Sequence, residues 1–169
     1  MLLIAYREQR GAGPTRLVLT RRHAKLNNHA GQISLPGGQQ DRDESLEQTA
    51  LREAREEIGI EPAEIEVLGR LNQVYIPPSD FTVVPFVGWC TDCPDFIRSP
   101  AEVDEIIEAS VEDLLKPATL TSGPMQIGEI QQLVAYYQVD NHRVWGATAI
   151  ILNEFLLRIQ AVLGTNNQS

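Results

Sequence analysis

The segment DRDESLEQTALREAREEIGI, residues 41–60, constrains this chain more than any other. Leu46, Ala50, Leu51, Ala54 and Ile58 recur at helical spacing, which predicts a helix over 44–58 with one apolar stripe, stopped by Gly59. At about 100° per residue, Glu53, Glu56 and Glu57 fall within an arc of roughly a quarter turn beside that stripe. Like charges one turn apart repel by a few tenths of a kcal/mol. A carboxylate at the margin of a core also costs free energy unless it is paired. Two readings follow. One is a solvated acidic face in which Arg52 and Glu56 form an i,i+4 ion pair. The other is a grip on a hard divalent cation, which prefers oxygen ligands and commonly binds one or two carboxylates together with substrate phosphates. The preceding loop, LPGGQQ, brings backbone close to such a site because its glycines carry no obstructing side chain.

Composition narrows the setting. At 169 residues the chain suffices for one domain with a real core, and no repeat or long linker divides it, so 1–169 reads as a single domain. A net charge of −9 argues against a general nucleic-acid binder. Cys90 and Cys93 make a lone C-x-x-C, half a zinc site at most, and read as two half-buried thiols. His23, His29 and His142 have no spacing for a hydrolytic triad or a zinc site. The apolar start MLLIAY is too short for a signal peptide, and Asn153, Glu154 and Arg158 interrupt the apolar run near the C-terminus. The expectation is a cytoplasmic enzyme with a small-molecule substrate and neither nucleic acid nor membrane as partner, a homodimer being left open.

Along the chain, residues 1–6 and 16–20 read as strands, followed by an irregular functional loop, RRHAKLNNHAGQISLPGG. IEVLGRLNQVYI, FTVVPFVGWC and VDEIIEA are strand-like. Ser110 is placed to cap a helix with Asp113 reaching back, 133–139 and 143–145 suggest a hairpin, and 147–163 an amphipathic helix with Glu154 and Arg158 paired on its wet side. Strands interrupted by helices imply an α/β/α layered arrangement with a mixed sheet.

One pattern exceeds these local signals. Gly38, five residues, Glu44, seven residues, then Arg52-Glu53-Ala54-x-Glu56-Glu57-x-Gly59-Ile60 resembles the Nudix box without a gap. The resemblance implies the Nudix α/β/α sandwich, hydrolysis of a nucleoside diphosphate linked to another moiety, and Mg²⁺ or Mn²⁺ held by the box glutamates. Glu53 and Glu57 are the leading metal ligands, Glu56 ligates further or through water, and Gly38 belongs to the metal site through its backbone. Glu53 or Glu56 is the candidate base, and Arg52 the residue that orients a glutamate by ion pairing. Glu44 and Gly59 read as structural, Ala54 and Ile60 as core-facing. A later acid, Glu102 or Glu105, is a further candidate.

The substrate is read outside the box. LVLTRRHAKLNNHAGQISLPGG, residues 17–38, resembles the additional signature of Nudix coenzyme A diphosphatases through Leu19, Thr20, Arg22, Leu26, His29, Gly31, Gln32, Pro36, Gly37 and Gly38. It departs at His23, Asn27 and Leu35, where a small residue, an arginine and a phenylalanine are usual. Arg16, Arg21, Arg22 and Lys25 place four of the 14 Lys+Arg within ten residues, a basic exception in an acidic chain suited to phosphates. Arg21, Arg22, Lys25, His29 and Gln32 are therefore the substrate-binding candidates. Ser79 and Phe81 are assigned to the pantetheine side, Phe81 reading equally as core, and Trp145 to the core. The implied reaction is cleavage of coenzyme A to 4′-phosphopantetheine and adenosine 3′,5′-bisphosphate. The alternatives are a Nudix pyrophosphatase for ADP-ribose or another nucleoside diphosphate derivative, and a non-catalytic nucleotide-binding module.

Overall fold

The computed structural model describes residues 1–8, 13–24 and 31–164, apart from the side chain of Pro78. In chain order the elements are β1 (Leu2–Arg7), β2 (Thr15–Arg22), β3 (Ile33–Ser34), α1 (Leu46–Ile58), β4 (Glu66–Arg70), β5 (Val74–Ile76) and β6 (Phe81–Val83). There follow β7 (Phe86–Cys90), β8 (Val103–Ser110), α2 (Val111–Leu114), β9 (Leu120–Ile127), β10 (Ile130–Val139), β11 (His142–Trp145) and α3 (Gly146–Leu163).

The central sheet is mixed. β1 runs antiparallel to β2 and parallel to β7, β7 pairs antiparallel with β4, and β2 carries β3 and β8 as further antiparallel neighbours. Strand alternation makes it the middle of three layers. Leu2, Ile4, Tyr6 and Val18 pack against Ala50, Ala54 and Ile58 of α1. Leu3, Ala5, Leu17 and Leu19 point the other way, against Ile151, Leu152, Phe155 and Leu156 of α3. The α/β/α arrangement with a mixed sheet is therefore observed. Fully burying a side chain such as Ile58 contributes about 1.5–3 kcal/mol, so the first of these faces anchors α1.

Several local expectations are corrected. The helix starts at Leu46, because Ser45 is its N-cap: Ser45 Oγ accepts from the Gln48 N–H at 3.2 Å, and Gln48 Oε1 accepts from the Ser45 N–H at 2.8 Å. Its buried stripe is Thr49, Ala50, Ala54, Glu57 and Ile58, with Leu46 exposed, so a carboxylate takes a place the pattern gave to leucine. IEVLGRLNQVYI and FTVVPFVGWC each break in two: β4 pairs with β7 in the large sheet, and β5 with β6 in a separate ribbon. Pro85, which has no N–H to donate, sits at that break, where the Leu71 N–H donates to its carbonyl at 2.9 Å. Ser110 caps α2 as expected, its Oγ accepting from the Asp113 N–H at 3.2 Å, and the Asp113 carboxylate, which also meets the Ser110 hydroxyl, pairs chiefly with Lys116 Nζ at 2.5 Å. β9, unforeseen because it contains Gly123 and Pro124, is the edge strand of the sheet β9–β10–β11, where a proline is tolerated. Phe81 is half exposed and Trp145 only part-buried, and of the two thiols Cys90 is buried and Cys93 exposed. α3 is long and apolar enough by composition to cross a membrane, and one face of it, Ile151, Leu152, Phe155 and Leu156, packs in the core while Ile150, Leu157, Val162 and Leu163 are exposed. Glu154 does pair with Arg158, at 2.6 Å, and also accepts from the Asn72 N–H.

Candidate metal centre

α1 delivers Glu53 and Glu57 one turn apart at the edge of the sheet. Glu57 is almost wholly buried, and its Oε2 accepts from the Gly37 N–H at 3.2 Å. The end of the same helix recruits a third acid through the backbone. The Ile97 N–H donates to the Ile58 carbonyl at 2.9 Å and the Ser99 N–H to the Glu57 carbonyl at 2.8 Å. A turn then closes from the Ser99 carbonyl to the N–H groups of Glu102 and Val103, and the Glu102 carbonyl accepts from His23 N–H at 2.8 Å. Orphan carbonyls at a helix C-terminus must find donors, and here they place residue 102. As a result carboxylate oxygens of Glu53, Glu57 and Glu102 lie within 4.8 Å of one another.

Gly38 completes the enclosure. A Cβ at this position would stand 2.5 Å from the Glu53 carboxylate, so only glycine lets the loop come this close. Burial, opposed by the Gly37 N–H and Arg22 but reinforced by Glu53 and Glu102, pushes the Glu57 carboxyl up to about 7. Burial raises Glu53 as well, against the pull of Arg52.

Arg52 accounts for the other carboxylates. Its guanidinium donates to both oxygens of Glu44 at 2.7 and 3.1 Å, to Glu53 at 2.8 Å, to Glu56 at 3.0 Å and to the Gln39 carbonyl at 3.1 Å. This holds the Glu44 carboxyl down at about 2. Glu44 thus lies outside the helix and folds back onto it, also accepting from the Asp41 N–H. Glu56 is half exposed, bound to Arg52 and outside the three-acid group. An open concavity of about 530 Å³ runs along the outer flank of α1 past Arg52, Arg55 and Glu56, and none of the three converging carboxylates lines it.

The basic segment divides. Arg22 points to the α1 side, with Nη1 3.6 Å from Glu57 Oε1. Arg21, its neighbour on β2, pairs instead with Glu105 at 3.4 Å, and Glu105 also meets His142 at 3.3 Å. Arg16 binds Glu8 at 2.9 Å. Consecutive strand residues face opposite sides, so a basic run in the sequence is not one patch in space. Gln32 lies beside Arg22, its carbonyl accepting the Arg22 N–H at 3.0 Å. Lys25 and His29 lie outside the described residues. Between Glu102 and Glu105, only Glu102 joins the carboxylates. The turn that carries it there, beginning at Ser99-Pro100, was the one available signal in the sequence.

Residues 2–127 match the NUDIX domain family. The chain belongs to the Nudix family. Relatives of this Nudix chain include the Nudix hydrolase NudL of Pectobacterium atrosepticum, 39% identical over 85% of this chain and 74% of that protein. NudL of Photorhabdus laumondii is 35% identical over 85% of this chain and 77% of its own length. A MutT/nudix family protein from Enterococcus faecalis shares the fold, with a TM-score of 0.63 at 18% identity over 96% of this chain and 65% of the other.

Nudix hydrolases generally use divalent metals, and the residues here fit one. Three carboxylates converge, a glycine leaves room where a Cβ would collide, and the most buried acid has no neutralising partner closer than 3.6 Å among the described residues. Glu53, Glu57 and Glu102 are the ligand candidates this geometry brings together.

Proposed function

We propose that this Nudix chain is a cytoplasmic hydrolase that cleaves the diphosphate of coenzyme A, or of its derivatives, into 4′-phosphopantetheine and adenosine 3′,5′-bisphosphate. The observation that carries the hydrolytic part is the convergence of Glu53, Glu57 and Glu102 beside Gly38. When bound there, Mg²⁺ or Mn²⁺ supplies positive charge to the non-bridging phosphate oxygens and helps orient the attacking water. Water adds to one phosphorus, and the bridging oxygen leaves with the other.

The chain's own groups divide the remaining work. Glu53 or Glu56 takes the proton from water, both held in place by Arg52. The Arg22 guanidinium, beside Glu57 and part-exposed, offers a fork to a phosphate oxygen. Burial of Glu57 against Gly37 fixes one wall of the cleft.

The coenzyme A assignment is supported by the signature-like residues 17–38, of which Arg22 faces Glu57 and Gln32 is hydrogen-bonded through its backbone to Arg22. Leu35, one departure from that signature, is fully buried among Leu3, Leu19 and Ile151, so its change from an aromatic residue concerns core packing. Asn27 falls outside the described residues. The test is hydrolysis of coenzyme A, acetyl-coenzyme A, ADP-ribose, NADH and a dinucleoside polyphosphate by one preparation with Mg²⁺ and with Mn²⁺. A preference for coenzyme A in kcat/KM is expected. Equal or better turnover of ADP-ribose removes the coenzyme A assignment and leaves a Nudix pyrophosphatase. No turnover of any of them, by protein that binds nucleotide, supports the non-catalytic module.

A further inference from the structure

Arg22 is tied at its root and loosely engaged at its tip. Its backbone N–H donates to the Gln32 carbonyl at 3.0 Å, and its carbonyl accepts from the Gly31 N–H at 3.0 Å. Across β2 it pairs with Val103 of β8, immediately after Glu102. The side chain, by contrast, meets Glu57 only at 3.6 Å, which is an ion pair too long for a hydrogen bond. Its Nε is buried and has no acceptor among the described residues. Unused guanidinium donors in a buried position are costly to maintain. Glu57 itself is sealed in, whereas Arg22 remains part-exposed.

We propose that Arg22 exchanges partners during binding. In the cation-free protein it stands in for the missing positive charge beside Glu57. When a divalent cation takes that carboxylate, repulsion between like charges releases the guanidinium, and its unused donors then grip a diphosphate oxygen. The strand holds the residue's root in place, so only the side chain moves. Cation binding then precedes diphosphate binding, and one residue enforces the order. This inference rests on the cation site assigned above but goes beyond it, because it gives Arg22 opposite effects on the two ligands.

A permanent clamp on Glu57 would behave differently, and the difference is measurable without turnover. Cation-stripped wild type, Arg22→Gln and Arg22→Lys are titrated with Mn²⁺ alone, free Mn²⁺ being read by electron paramagnetic resonance. Each is then titrated with methylene diphosphonate, a diphosphate that water does not cleave, at saturating Mn²⁺. Arg22→Gln is expected to bind Mn²⁺ roughly threefold to fivefold more tightly, the worth of a partly exposed ion pair. The same variant is expected to bind the diphosphonate at least about tenfold more weakly, for loss of a charge-assisted contact. Arg22→Lys, which keeps the charge without the fork, should stay within about twofold of wild type for Mn²⁺ and lose part of the diphosphonate affinity.

Weaker Mn²⁺ binding by Arg22→Gln with an unchanged circular dichroism spectrum overturns the exchange in favour of a clamp. Tighter Mn²⁺ binding with undiminished diphosphonate affinity also overturns it, leaving simple repulsion. If the wild type binds no Mn²⁺, the cation site itself fails, and this inference fails with it.

Discussion

Replacing Glu57 by glutamine should stabilise the cation-free protein at alkaline pH while abolishing activity. Glu57 is nearly inaccessible, and burial raises its carboxyl from 4.5 to about 7. A carboxyl whose folded pKa lies above its unfolded value holds its proton more tightly in the native state. The stability this provides is present in full below pH 4.5 and is lost as pH rises through about 7. The interval corresponds to about 3 kcal/mol, at 1.36 kcal/mol for each pH unit. Glutamine keeps the shape and can still accept from the Gly37 N–H through its amide oxygen, but it never ionises. It also forgoes the ion pair with Arg22, which offsets part of the gain.

The assay is urea unfolding in chelator at pH 5 and pH 8.5, followed by circular dichroism. Wild type should lose stability between the two pH values relative to Glu57→Gln, by about 2–3 kcal/mol. That difference corresponds to roughly 4–12 °C in Tm for a chain of this size. Adding Mn²⁺ at about a hundred times its Kd should return about 2.7 kcal/mol to the wild type and little to the variant. If the two proteins instead show parallel pH profiles in chelator, Glu57 is not the strained acid described here, and the electrostatic reasoning for the site is wrong.

Other outcomes follow from the same contacts. Gly38→Ala places a methyl against the Glu53 carboxylate and should cut kcat/KM about tenfold or more, the cost of slightly misplacing a reacting group, while circular dichroism is unchanged. Glu102→Gln should weaken Mn²⁺ binding in a titration, whereas Glu105→Gln, on the Arg21 and His142 side, should leave it within about twofold. Arg52→Ala strips hydrogen bonds from three carboxylates and should cost about 1–3 kcal/mol in urea unfolding as well as activity, separating it from the Gly38 variant. In native protein iodoacetamide should alkylate Cys93 and spare Cys90, a count of one adduct by mass; two adducts would mean that the end of β7 opens.

How much of this was legible in the sequence depends on how local each signal is. The acidic helix, its Gly59 stop and the Arg52–Glu56 pair are separated by a few residues, and spacing alone located them. The three layers were legible because strand and helix patterns alternate along the chain. Glu102 was different. Its arrival depends on hydrogen bonds from 97 and 99 to the end of α1 and from His23 to its own carbonyl, contacts that no spacing encodes, so Glu105 read equally well. The basic run failed for the opposite reason: the pleat of β2 sends Arg21 to the opposite face of the sheet from Arg22, Arg16 is held by Glu8 at the far end of the strand, and among the described cations of the run only Arg22 reaches the three acids. β9 was hidden because Gly123 and Pro124 look like a turn until the strand is known to lie at an edge.

The crowding of acids on α1 then has a physical account. Arg52 binds Glu44, Glu53 and Glu56, and is the reason those charges coexist along the helix. Glu57 and Glu102 lie beyond its reach, with Arg22 facing Glu57 at the longer distance of 3.6 Å. Five carboxylates meet two guanidiniums, and the unbalanced negative charge collects at the buried end. The close neutralising contacts therefore fall on Glu44, Glu53 and Glu56, while the buried acid meets its one guanidinium only at the longer distance. Had a third arginine closed the gap, the fold would be more stable and the site would have no affinity for a dication. A chain that keeps the gap accepts the cost of about 3 kcal/mol attached to Glu57 in the empty protein, and recovers it on binding.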